Sequence, residues 1–221
     1  EDARHPGGQR GRLDGGLTPI ALTVGPIGIQ AGASFYSSMN LSPDAWEAFL
    51  FGNAGNNGGQ PKTLDLTGTS LRFGAISAGG ASFALPIPIN FTNGLLKNER
   101  AAIGITGKYV LGNALIIADD AGSSFGSTDL QFNLPIIRPD TSFDGILGKG
   151  MGMDVGLSWS GGPWRVGALI ENVFNNFAWD TTKFAFTPGS GVVSADTNFT
   201  NFDTTLAYTA APAAMKQIVT D

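Results

Sequence analysis

Alternation of apolar with polar or small residues over a dozen consecutive positions constrains this chain more than any other feature. In residues 150–161, Met151, Met153, Val155, Leu157 and Trp159 fall on one parity; Gly152, Asp154, Gly156, Ser158 and Ser160 fall on the other. A strand sends successive side chains to opposite faces, so the pattern describes a ribbon with one apolar and one polar face. Residues 101–112 repeat it, with Ile103, Ile105, Tyr109 and Leu111 against Gly104, Thr106, Lys108 and Gly112. Gly107 leaves a gap on the apolar side. Residues 27–37 do so again, with Ile27, Ile29, Ala31, Ala33 and Phe35 against Gly28, Gln30, Gly32, Ser34 and Tyr36.

Two Gly-Pro turns join such ribbons. Val24-Gly25-Pro26-Ile27 precedes the third ribbon, and Ser160-Gly161-Gly162-Pro163 leads from the first into residues 164–174. Glycine supplies the turn's unusual backbone angles and proline fixes φ where the next strand begins. Pairing Val24 with Ile27, and Trp159 with Trp164, keeps apolar residues on one side in both hairpins. The ribbons are long: twelve residues at about 3.3 Å reach roughly 40 Å, and a tilt near 45° brings this to ~28 Å, close to a bilayer's hydrocarbon thickness. Long connections rich in glycine and asparagine, residues 38–62 and 175–200, contrast with the tight turns. Short turns at one rim and long loops at the other mark outer-membrane barrels.

Composition narrows the classes. Charged residues are only 14% of the 221, against about 25% in soluble domains. Glycine, at 32 residues, is about twice the usual ~7%. The net charge of −5 and the lack of a Lys/Arg cluster argue against nucleic acid as a partner. With no cysteine, a disulfide scaffold, a thiolate zinc site and a cysteine nucleophile are all excluded.

Weaker strands are expected at residues 64–77, 128–136 and 202–209. Residues 83–91 also alternate, but Pro86 and Pro88 remove ladder donors and suggest an edge, a plug or a loop. One loop helix is expected at residues 42–51, capped by Ser42 with Pro43 at its first position and Asp44 in its first turn. About nine strands result. An even count between the two Gly-Pro turns forces the connection 113–127 onto the short-turn side.

Little points to catalysis or metal. The single histidine, His5, stands in a polar end. Asp119, Asp120 and Asp129 lack the calcium-loop spacing. Gly148, Gly150 and Gly152 lie within a strand pattern, without the strand–turn–helix context of a dinucleotide site, and read as small residues on the inner wall of a curved sheet. Asn40, Asn90 and Asn198 open glycosylation-type triplets, which carry little weight if the source is bacterial. The expectation is a non-enzyme without cofactor or metal. The polar face carries more information: Gln30, Ser34, Thr106, Lys108, Asp154, Ser158, Arg165 and Glu171 are the expected lumen lining, and their mixed charge implies no strong ion preference. Trp159, Trp164, Phe174 and Trp179 are the expected interfacial aromatics.

Residues 104–112 (Gly-Ile-Thr-Gly-Lys-Tyr-Val-Leu-Gly), 150–157, 164–167 and 171–175 resemble bacterial outer-membrane barrels similar to the long-chain fatty-acid transporter (FadL-like) superfamily. That group includes PorV-type secretion proteins and TraF-like barrels. The resemblance covers residues 100–180 and implies fold and location more than activity. It implies an all-β, antiparallel up-and-down transmembrane barrel: an irregular end over residues 1–12, then one barrel domain, residues 13–221, that stops short of a terminal aromatic strand and so forms part of a larger barrel. The expected setting is the outer membrane of a Gram-negative-type bacterium, with the lipid bilayer as partner. The expected role is passage or binding of a small solute, a hydrophobic one among the candidates. A non-conducting docking barrel in a secretion or conjugation apparatus and a soluble extracellular β-sandwich are the alternatives.

Overall fold

The computed structural model describes residues 8–52, 62–88, 98–127, 129–140, 144–187, 189–194 and 209–210. Along the chain come β1 (Gln9–Val24), β2 (Ile27–Leu41), helix α1 (Pro43–Phe51), β3 (Leu64–Asp65), β4 (Ser70–Ile87) and β5 (Arg100–Asp119). Next are β6 (Ser124–Phe125), β7 (Asp129–Asn133), β8 (Ile136–Pro139), β9 (Gly148–Gly161) and β10 (Trp164–Asn175). The last strands are β11 (Ala178–Trp179), β12 (Phe184–Thr187), β13 (Ser190–Ser194) and β14 (Thr209–Ala210).

Six long strands make a wall. β1, β2, β4, β5, β9 and β10 pair in that order, each antiparallel to the next, and run up and down without a crossover. Among the described residues, the outer edges of β1 and β10 have no strand partner, so the wall is an open sheet. Both Gly-Pro turns are two-residue turns with glycine at positive φ, Gly25 at 59° and Gly162 at 56°, a conformation glycine adopts without the Cβ penalty. The first register is the expected one, with Val24 opposite Ile27 and Leu22 opposite Ile29. The second differs by two residues: Gly161 faces Trp164, and Trp159 faces Val166 rather than Trp164. A slip of two leaves every side chain on its own face, which is why the pattern alone cannot detect it.

The odd strand count disappears in the structure. Residues 70–87 form one strand, so the expected strands 64–77 and 83–91 share β4 as their main element. Pro86 is accommodated there because Ala84 N already donates to Pro26 O where β2 ends. Pro86 has the same edge two residues on, where a missing N–H breaks no ladder bond. Residues 113–119 continue β5 beyond its pairing with β9, which ends at Gly112 and Gly148. Four wall strands, β2, β4, β5 and β9, therefore separate the two tight turns. Residues 113–127 lie at the opposite, long-loop rim. The expected strand 128–136 is not in the wall: β7 and the start of β8 lie in that loop region. β1 likewise starts before Leu13, since Gln9–Arg12 pair with residues 38–41. His5, Asn90, Asn198 and residues 202–208 lie outside the described residues.

The long-loop rim carries its own small structure. β13, β7, β6 and β3 form a second, four-stranded sheet. The overhang of β5 pairs with β8, which pairs with β12. The main buried apolar cluster sits here: Leu115, Ile117, Ile137, Leu147 and Phe184, with Trp179 and Phe186 packed against it. Helix α1 starts as expected, Ser42 Oγ accepting from Ala45 N at 3.1 Å. Lys183 Nζ reaches Asp144 at 2.9 Å, and this hydrogen bond holds the Asp144 carboxyl below its ordinary range.

Candidate functional site: the polar face of the wall

Strand register turns the alternation into rows. Val24, Ile27, Phe83, Ile105, Val155 and Ile170 stand opposite one another across all six wall strands. Every residue in this row is apolar. The next row, with side chains on the other face, is Thr23, Gly28, Ser82, Thr106 and Asp154. Every residue in that one is polar or small. On the inner strands exposure runs opposite to a soluble core, with Ile105 51% exposed and Asp154 7%; Gln30, Ser34, Ser158, Arg165 and Glu171, on the polar face, are exposed.

The covered face is concave. Residues from all six wall strands line one cavity of about 490 Å³, which a flat sheet could not enclose. Gln30, Ser34, Lys108, Asp154 and Glu171 all line it. Thr106 lies in the row between Ser82 and Asp154. Ser158 and Arg165 line a second cavity nearer the tight turns. The expected lining residues thus share one face, and all of them except Thr106 line one of the two pockets.

A single ion pair dominates the first cavity. Lys108 Nζ donates to Asp154 Oδ1 at 2.7 Å and to Oδ2 at 3.0 Å, across β5 and β9. Asn172 N donates to Asp154 Oδ1 at 2.8 Å. That third bond depends on an irregularity in β10: Ile170 faces Val155 and Phe174 faces Met153, leaving three residues opposite Asp154. Asn172 takes a positive φ of 56° within this bulge, a region asparagine tolerates better than most residues. Lys108 lies flat over Gly152, where a Cβ would come within 2.7 Å of its Cε. The pair was legible as two lining residues. The Asn172 amide and the glycine that clears a path for the lysine were not.

Glycines 148, 150 and 152 share this face, and two of them have a further use. After β10 the chain folds back over β9: Asn176 N donates to Met151 O at 3.0 Å and Met151 N to Asn176 Oδ1 at 2.6 Å. A Cβ on Gly150 would stand 2.6 Å from Phe177 N and collide with Phe177 Cα. Backbone cannot yield as a side-chain tip can. Gly150→Ala should therefore destabilise the folded protein by about 1–3 kcal/mol, the usual cost of overpacking, read as a lower urea midpoint.

The aromatics divide. Trp164 and Phe174 are exposed, Trp159 is half-buried, and all three lie on strands. Trp179, expected with them, packs elsewhere: its ring covers Gly112 and meets Phe177 edge-on at 5.1 Å and Phe184 at 6.3 Å. It belongs to the buried cluster at the long-loop rim. The change of direction after Asn175 moves it there, and strand periodicity could not foresee that change.

Among the described residues no group of three or more metal-ligating side chains converges. Asp120 Oδ1 instead accepts the amides of Gly122 and Ser123 at 3.0 and 2.9 Å. Asp119 stands 3.7 Å from Arg72. Among the described residues no helix is long and apolar enough to cross a membrane, which says nothing about crossing by strands. No family model, curated protein or solved structure matches the chain.

Proposed function

We propose that this chain forms part of the wall of an outer-membrane β-barrel, of the kind the FadL-like resemblance implies, whose interior binds or passes a small solute. The observation that carries the proposal is the pairing of an apolar row six strands wide, exposed at five of its six positions, with a polar row that is covered on β2, β4, β5 and β9 and open at the edge strand β1. Water-exposed apolar patches of such extent are rare on soluble monomers, whereas a barrel in lipid needs apolar residues outside and tolerates charge inside. Strand length agrees: the wall strands run from 12 to 20 residues, against about 9–11 needed to span a bilayer at a tilt. Two of the three connections at one rim are two-residue turns, the third being residues 88–99, and the other rim carries structured loops, which gives two ends that an asymmetric membrane distinguishes. Open edges on β1 and β10 leave the places where further strands would complete the ring, since a lipid-exposed edge strands its unpaired N–H and C=O groups.

Passage follows from the cavity. The Lys108–Asp154 pair neutralises itself and Glu171 leaves the first cavity one negative charge, so the lining suits a small polar or mixed solute. Two measurements test the proposal. Protein folded into vesicles should migrate differently on gels with and without heating, and should lose its fold when detergent or lipid is withheld. A chain that stays folded in plain buffer would instead be the extracellular sandwich. In planar bilayers, Lys108→Glu should change single-channel conductance at least twofold. A conductance of zero in both proteins would point to a docking barrel and end the transport proposal.

A further inference from the structure

The second cavity, of about 560 Å³, lies beside the tight turn that joins β9 to β10. Its chemistry differs from that of the first. Ser160 stands opposite Arg100 on one side and Arg165 on the other, so two guanidinium groups flank a hydroxyl in one row. Ser158 follows two residues along the same face, and Pro86 completes the part of the lining that matters here. Among the described residues no carboxylate lines this cavity. Glu99, the neighbouring acid in sequence, stands instead over Gly161 in company with the Trp159 ring.

Arg12, Lys62, Arg72, Lys108 and Lys183 each stand within salt-bridge distance of a carboxylate. Among the described residues Arg10, Lys149, Arg100 and Arg165 do not, and of these only Arg100 and Arg165 share a row and a cavity. β5 and β10 are two strand spacings apart, about 9.5 Å, a gap that two arginine side chains can close around one group. Guanidinium offers five N–H donors in a planar fork that matches a carboxylate or phosphate, and it accepts from nothing.

From this row we infer a binding site for an oxyanion, a phosphate or carboxylate group, held between Arg100 and Arg165 with the Ser160 hydroxyl beneath it. The site needs only this sheet face, so it does not depend on the barrel proposal. Where that proposal holds, the site sits at the short-turn mouth of the lumen, and its occupant is the anionic group of a small solute or of a lipid headgroup.

Calorimetric titration of the folded protein with inorganic phosphate and with acetate, in non-ionic detergent, tests the site. At least one of the two should bind saturably, and chloride at equal ionic strength should not displace it. Affinity should fall at least tenfold in Arg165→Gln and further in the Arg100→Gln/Arg165→Gln double variant. Lys149→Gln, a charge removed elsewhere on β9, should bind as the parent does. Heat-modifiable mobility of each variant verifies folding, and Arg165→Lys should be intermediate because it retains charge without the fork. Repeating the titration in phosphatidylcholine and in phosphatidylglycerol vesicles identifies the source: weaker phosphate binding in the anionic vesicles assigns the site to a headgroup, and equal binding assigns it to a free solute. Binding no tighter than chloride's, or untouched by both arginine substitutions, would overturn the inference. If the protein proves to fold without detergent, the same titration in buffer decides the matter independently.

Discussion

Ile105→Arg should abolish insertion into lipid vesicles while Ser158→Arg inserts as the parent does. The two positions separate because of register. Ile105 stands in the row that runs from Val24 to Ile170, flanked by Phe83 and Val155. Ser158 is on the opposite face, between Ala102 and Gly167. A lipid-facing arginine near the bilayer midplane costs about 2–4 kcal/mol, and one in the lumen costs little. At 1.4 kcal/mol per factor of ten, this lowers the ratio of inserted to uninserted protein by roughly 30- to 1,000-fold. Leu157→Arg, one position along from Ser158 and 51% exposed, should behave like Ile105→Arg with a smaller effect, since it lies nearer the turn. Folded fraction on unheated gels after refolding into vesicles is the measure. Equal insertion of Ile105→Arg and Ser158→Arg would mean that neither face meets lipid.

The faces were legible because alternation over twelve residues is a strong signal that does not depend on knowing the partner strand. Gln30, Lys108 and Asp154 come from three ribbons read separately, yet parity alone placed them together. Strand boundaries were less legible. Pro86 was read as a breaker; it sits where β2 has ended, and only the pairing reveals that its missing donor is harmless. The run 128–136 alternates as well as a wall strand does. Its place in the rim sheet follows from β5 outrunning β9 by several residues, which no local pattern records. Arg100 and Ser160 were passed over for a related reason. Each is unremarkable within its own ribbon, and they meet Arg165 only through pairing on both sides of β9. Asn172 left a faint trace, an asparagine beside a glutamate inside a strand, but its amide could be assigned to Asp154 only from the bulge.

Asp154→Leu should destabilise the folded protein by about 3 kcal/mol, and adding Lys108→Met should restore much of that loss. Removing one partner of a buried ion pair leaves the other charge uncompensated, at a typical cost of 3–5 kcal/mol. The Lys108 side chain keeps 16% of its surface exposed, so the lower end of that range applies. Asp154→Leu also strips the acceptor from the part-buried Asn172 amide, and losing one such hydrogen bond costs about 0.5–1.5 kcal/mol. This second loss persists when Lys108 is made apolar, so recovery should be partial. Lys108→Met alone leaves Asp154 with the Asn172 N–H and should cost less than Asp154→Leu. The order of stability is then parent, Lys108→Met, the double variant and Asp154→Leu, measured as urea midpoints of gel mobility in one lipid. Strict additivity of the two single effects would show that the charges do not interact across β5 and β9. It would also remove the pair as the element that braces the wall around its cavity.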